Sequence, residues 1–251
     1  MLLSVIIPAY NEEKTIREII ERVRRVPPRK EIVVVNDGSR DKTAAILDEL
    51  KGYLAPDEFF SRLVVIHKKN GGKGSALRAG IAAASGDIIL FQDADLEYDP
   101  KDYPGLIEPI VAGRTKAVMG SRLLAGGNIW VGGKPSFAYV RNHLGIRLIT
   151  LLTNLLFGKH ATDYEGCYKA FDAVLLKSIP LEADGFELDN ELVCKLFRLG
   201  RTVMEVSTQY YPRSYEEGKK IKVRDGLKIL WTIIRWRFAP IYLTSDKVRN
   251  K

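Results

Sequence analysis

Apolar and polar positions alternate in long blocks through the first hundred residues, and each block ends in the same way. Leu2-Leu3-Ser4-Val5-Ile6-Ile7-Pro8, Ile32-Val33-Val34-Val35, residues 63–67 and residues 87–92 are nearly continuous apolar runs. Such runs predict strands buried on both faces. Between them the spacing turns helical. Ile16, Ile19, Ile20 and Val23 mark a first helix that stops before Pro27-Pro28, with Asn11 as its expected N-cap. A second helix is expected over about residues 42–50, and a third carries Leu77, Gly80, Ile81 and Ala84. Strands alternating with helices imply an α/β fold, a mostly parallel sheet with helices on both faces. Ligands in such sheets bind beyond the carboxyl ends of the strands. Four polar loops fall there: residues 8–12, 36–39, 70–75 and 93–97.

The second half is patterned differently. Gly126-Gly127, Gly132-Gly133 and Pro135 predict a flexible loop over the rim. Residues 137–157 follow as an apolar helix with Val140, Leu144, Leu148, Leu151 and Leu155 on one face. Near the C-terminus, Leu227, Leu230, Trp231, Ile234 and Phe238 form a broad apolar face, with Arg224, Lys228, Thr232 and Arg235 as a polar stripe. Trp and Phe flanked by basic residues predict helices lying in a membrane interface. The expected division is residues 1–212 as the catalytic domain and 213–251 as a basic amphipathic extension. No apolar run reaches the roughly 20 residues that a spanning helix needs.

Charge sharpens this division. The net charge is +8, and residues 201–251 hold twelve Lys and Arg against five Asp and Glu. Nearly all of the excess therefore sits in the last fifth of the chain, which predicts that an anionic surface, lipid, phosphate or nucleic acid, meets the C-terminus. The basic residues are interleaved with Ile, Leu and Trp in helical register, which speaks against a nucleic-acid reader. Cys167 and Cys194 have neither metal-ligand nor disulfide-framework spacing, and no signal peptide opens the sequence, so a reducing, cytoplasmic setting is expected.

The chemistry gathers at Asp93-Ala94-Asp95-Leu96-Glu97, directly after an apolar run. Three carboxylates this close repel one another, and oxygen ligands suit Mg²⁺ or Mn²⁺ with positions left for phosphate oxygens. Lys73 sits among glycines, as a phosphate partner would, while Glu12 and Asp37 offer acceptors to a ribose or base. Neither a P-loop nor a dinucleotide-binding glycine pattern follows the first strand. A nucleotidyltransferase is disfavoured because residues 8–13 contain no glycine- and arginine-rich phosphate loop.

Taken in order, Pro8-Ala9-Tyr10-Asn11-Glu12, Asn36-Asp37-Gly38-Ser39-Arg40-Asp41, Asn70-Gly71-Gly72-Lys73-Gly74 and Asp93-Ala94-Asp95 resemble the inverting GT-A glycosyltransferases of family 2. The nearest branch comprises dolichol-phosphate (polyprenol-phosphate) mannose synthases and their glucosyl relatives. Gly120-Ser121-Arg122 and Tyr210-Tyr211-Pro212-Arg213 extend the likeness to about residue 235. The resemblance implies a GT-A fold, a GDP- or UDP-hexose donor (mannose or glucose), catalytic Mg²⁺ or Mn²⁺, and a polyprenyl phosphate acceptor at the cytoplasmic membrane face. It places Pro8, Tyr10, Glu12 and Asp37 around the base and ribose, and Lys73, Asp93 and Ala94 along the donor. It places Asp93, Asp95 and Glu97 at the metal and Arg122 at the acceptor phosphate, where Arg141 and Arg213 are expected to join it; Asp95, Arg122 and Arg141 are the expected catalytic residues. Glu97 departs from the pattern, since some members carry glutamine there. A related possibility is transfer to a hydroxyl acceptor, such as a polysaccharide or glycolipid. That reaction needs a base, for which Asp189 and Glu191 are the acids at hand.

Overall fold

In the computed structural model, which describes residues 1–124, 137–211 and 223–241, one seven-stranded sheet organises the chain. Its strands are β1 (Leu3–Ala9), β2 (Lys30–Asn36), β3 (Phe60–His67), β4 (Ile88–Phe91), β5 (Ala117–Ser121), β6 (Lys169–Asp172) and β7 (Met204–Ser207). They lie in the order β3-β2-β1-β4-β6-β5-β7, and only β6 runs against its neighbours.

The apolar runs become buried strands for a countable reason. Leu3, Val5 and Ile7 face α1 (Ile16–Arg25), packing with Ile16, Ile19, Ile20 and Val23. Ile6, Val33 and Val35 face the other way, onto Ala76, Leu77 and Ile81 of α3 (Lys73–Ala83). A strand with helices on both sides has no polar face to alternate with. Gly80 lets α3 close on the sheet: a Cβ there would lie 2.4 Å from Ile6 Cγ2.

Pro8 was expected to end β1 but lies inside it, paired with Val35. Even-numbered residues of β1 turn their backbone polar groups toward β4, as Ile6 O shows by accepting from Gln92 N. That pairing stops at Ile6–Phe91, so the missing proline N–H falls where no ladder remains.

The remaining helices are α2 (Thr43–Tyr53), α4 (Tyr103–Val111), α5 (Phe137–Phe157), α6 (Ala173–Ser178), α7 (Leu188–Arg198) and α8 (Val223–Phe238). Helix α8 packs onto the rest of the chain: Ile229, Ile233 and Trp236 share a buried cluster with Ile149 of α5 and Cys194 of α7. The face expected to meet a membrane interface does point outward, and the buried line is a second apolar one not singled out in the sequence. That line includes Thr232, expected in the polar stripe, whereas Leu227, Trp231, Ile234 and Phe238 face outward. Leu144, Leu148, Leu151 and Leu155 of α5 are exposed as well. The glycine-rich loop expected over the rim lies outside the described residues.

Candidate active site

The acidic turn is built on a buried polar anchor. Gln92, just past β4, accepts from the hydroxyls of Tyr103 (2.7 Å) and Tyr168 (2.9 Å), which fixes where the chain leaves the sheet. Beyond it, Asp93 Oδ1 lies 2.7 Å from Lys73 Nζ. Burial opposes ionisation of Asp93, but the Lys73 ammonium outweighs it and holds the carboxyl below its usual range. Leu96 takes a left-handed conformation (φ 65°), at about 1–2 kcal/mol for a bulky L-residue. It reverses the chain between two acids that then face different partners. Asp95 Oδ1 accepts from Glu97 N (3.2 Å), while Glu97 Oε2 accepts from the Tyr210 hydroxyl (3.0 Å). Asp93, Asp95 and Glu97 are therefore not gathered into a cage, and no group of three His, Cys, Asp or Glu suited to a metal occurs among the described residues. A hard divalent cation fits the site nonetheless. Mg²⁺ is commonly held by one or two carboxylates, with waters and substrate phosphates completing the shell.

The glycine loop before α3 is clamped from two sides. The buried Asp37 carboxylate accepts from Gly71 N (3.0 Å), Gly72 N (2.7 Å) and Lys68 Nζ (2.6 Å). Gly72 (φ 100°) then passes so close to the segment before α7 that a Cβ would sit 2.4 Å from Asp184 O. Ser75 N donates to that carbonyl, and Arg78 pairs with the Asp184 carboxylate. This contact delivers Lys73 to Asp93.

The loop after β1 is sewn to the loop after β2. Asn11 N donates to Ser39 Oγ (2.9 Å), Glu12 N to Thr43 Oγ1 (2.9 Å) and Arg40 N to Asn11 Oδ1 (2.8 Å). Asn11 is not the N-cap of α1, which begins after Thr15; its side chain serves this seam at a φ of 51°. Glu12 is mostly buried, and its Oε2 accepts from Thr15 Oγ1 (2.9 Å). Pro8 and Tyr10 are partly exposed at the top of β1, and Ala94 is buried behind the acids.

Arg122 follows β5 and is bound edge-on to Asp163, with Nε–Oδ2 at 2.6 Å and Nη2–Oδ1 at 2.8 Å. The Tyr210 ring lies 5.2 Å from its guanidinium carbon. Arg141's side chain and all of Arg213 lie outside the described residues. The two acids considered as bases have separate fates. Glu191 is fully buried, with its oxygens taken by Glu182 N, Ala183 N and Lys195. Asp189 pairs with the buried Lys169 at 3.1 Å. Cys167 lies buried nearby, and burial pushes its thiol up, away from nucleophile chemistry. Asp163, Lys169 and Tyr210 went unassigned in the sequence. Asp163 and Lys169 fall in a polar and aromatic run, residues 162–171, that resembles the family's acceptor-side segment, and Tyr210 in the 210–213 motif that carried the likeness, but none had been given a role.

A doubly covered, mostly parallel sheet with four polar loops on its carboxyl rim, one of them the acidic turn, matches a GT-A glycosyltransferase frame. Residues 4–179 match the model of glycosyl transferase family 2, and the chain belongs to that family. It is 28% identical over 254 residues to a UDP-N-acetylglucosamine–dolichyl-phosphate N-acetylglucosaminyltransferase of Methanococcus voltae, covering 96% of this chain and 98% of the relative. It is 30% identical over 251 residues to a dolichyl-phosphate beta-glucosyltransferase of Trichomonas vaginalis, covering 93% and 72%. Its fold is shared with glucosyl-3-phosphoglycerate synthase of Mycobacterium tuberculosis, solved with Mn²⁺, UDP-glucose and phosphoglyceric acid. There the TM-score is 0.68 at 24% identity, covering 95% of this chain and 80% of the other.

Proposed function

We propose that this chain is a metal-dependent inverting glycosyltransferase moving a hexose from a UDP-sugar to a polyprenyl phosphate, resting on the cytoplasmic face of a membrane. The observation that carries the acceptor reading is a pair of matching stripes. Leu144, Leu148, Leu151 and Leu155 of α5 and Leu227, Trp231, Ile234 and Phe238 of α8 repeat one spacing on helices that pack together, each side chain 42–73% exposed. Arg224, Lys228, Arg235 and Arg237 are exposed on α8 as well, a composition suited to an anionic lipid surface. No helix among the described residues is long and apolar enough to cross a membrane. The two curated relatives carry dolichyl phosphate in their names, and one also names a UDP-sugar, which supports UDP over GDP.

On this reading Asp93 and Asp95 hold Mg²⁺ or Mn²⁺, with Glu97 tethered beside them. When bound, the cation supplies positive charge to the departing diphosphate. Lys73 adds its own charge on the same side, and Pro8, Tyr10 and Glu12 after β1, with Asp37 after β2, border the nucleoside. A phosphate acceptor is already an anion, so its oxygen forms the new bond to the anomeric carbon without a base. The old bond's electron pair leaves with the diphosphate from the opposite face, inverting the centre. Arg122, with Arg141 and Arg213, draws the acceptor phosphate in.

The hydroxyl-acceptor alternative is weakened by Glu191, whose oxygens are already taken by the fold. The test supplies labelled UDP-glucose or UDP-N-acetylglucosamine and Mn²⁺ with either dolichyl phosphate or dolichol. Label is expected in the organic phase only with the phosphate. Equal transfer to the free alcohol would overturn the acceptor assignment.

A further inference from the structure

Arg122 was expected to meet the acceptor phosphate with its planar fork, yet its Nε–Nη2 edge is already engaged by Asp163. Asp163 is fully buried and is held in turn. Its backbone N–H and that of Thr162 both donate to the Glu205 carboxylate of β7, at 3.0 and 2.9 Å. Thr162 Oγ1 lies 2.6 Å from Ser121 Oγ, beside Arg122 in the chain. On the other side the Tyr210 ring covers the guanidinium, and its hydroxyl reaches Glu97 in the acidic turn. A guanidinium fixed at one edge and one face keeps Nη1 and the second N–H of Nη2 as its remaining donors, and no partner for Nη1 occurs among the described residues. Orientation, rather than charge alone, is what such a clamp adds.

We infer that Asp163 is a positioning residue for transfer: it aims Arg122 so that the remaining end of the guanidinium takes the acceptor phosphate end-on. The inference rests on the proposed acceptor role of Arg122. Asp163 touches no substrate. Glu205 supports it from behind, and Tyr210 ties the same arginine to the turn that holds the donor.

The experiment measures KM for dolichyl phosphate and for the UDP-sugar in Arg122→Ala, Asp163→Asn, the double variant and Glu205→Gln. Arg122→Ala should raise the acceptor KM and leave the donor KM within about twofold. Asp163→Asn should raise the acceptor KM about tenfold but add less than about twofold in the Arg122→Ala background, because the two act as one unit. If Arg122→Ala leaves the acceptor KM unchanged, the acceptor role of Arg122 fails. If Arg122→Ala raises it and Asp163→Asn does not, or the two effects multiply, the positioning role fails and the acceptor role stands. Should Asp163→Asn not fold, Glu205→Gln decides. A raised acceptor KM with an unchanged donor KM supports the clamp, and an unchanged acceptor KM overturns it.

Discussion

The Lys73 ammonium sits 2.7 Å from Asp93 Oδ1, joining the helix after the glycine loop to the acidic turn at their most charged points. Asp93 thus has a counter-ion built into the protein, and on the proposed reading Asp95 is the acid on which cation retention turns. Asp95→Ala is expected to lower turnover by about 10²-fold or more while the fold survives. Near wild-type rates at saturating Mn²⁺, with an unchanged circular dichroism spectrum, would remove Asp95 from the metal site.

Asp37 does two jobs on this account. Asp37→Ala should raise the donor KM with little change in kcat, as losing uniform binding does. It also strands Gly71 N and Gly72 N, so stability should fall by about 2–3 kcal/mol. Urea denaturation separates the two effects. An unaltered midpoint would show that the clamp is not needed to hold the loop.

Glu191 is expected to matter for folding and not for proton transfer. Glu191→Gln leaves the buried Lys195 without its carboxylate and should destabilise by about 3–5 kcal/mol. The pH profile of kcat should keep its shape in whatever fraction stays folded. Loss of its acidic limb would reinstate Glu191 as a base.

The proposed membrane attachment separates the two tryptophans of α8. Trp231 is 65% exposed and Trp236 only 4%. Trp231→Glu should weaken binding to anionic liposomes about tenfold or more without lowering the melting temperature. Trp236→Glu puts a charge into the cluster with Ile229 and Cys194 and should unfold the helix pair. Equal loss of liposome binding from both, with both folded, would contradict the outward face assigned to α8.

Stability should fall in alkali, and the direction follows from counting protons. Burial pushes Cys194 up to about 12 from an ordinary 9, and raises Cys167 likewise. Burial also raises Tyr98, Tyr103 and Tyr168 above their ordinary 10. These groups keep protons that the unfolded chain releases, so their contribution is complete below about pH 9 and is lost as the pH climbs. Lys30 opposes them. Burial lowers it to about 8, so folding gains between there and 10.5. Each group contributes at most about 1.4 kcal/mol per pH unit, and two thiols with three phenols outnumber one lysine. The urea midpoint should drop between pH 9 and pH 10.5; a constant or rising midpoint would sink the argument.

The parallel half was legible because its strands are buried on both faces and print continuous apolar runs. Strands β6 and β7 were not, being four residues long and carrying Lys169, Asp172, Glu205 and Ser207. Arg122 and Asp163 stand 41 residues apart, with no periodic signal to link them. Helix α8 was read with its outward apolar face but without its buried one, because Ile229, Ile233 and Trp236 lie beside Thr232 on a side taken as a polar stripe. Glu191 looked like chemistry for a related reason. A carboxylate that caps backbone N–H groups deep in a fold has the same letter as one that moves protons.

The two apolar ridges also govern how the molecule behaves away from any bilayer. Eight core-type side chains on the outside make the ridges the surface most readily joined to itself in plain buffer. Copies should meet ridge to ridge as concentration rises, and a mild detergent should part them without touching the sheet or its rim. The residues proposed to grip lipid would thereby also set the ceiling on the enzyme's colloidal dispersion.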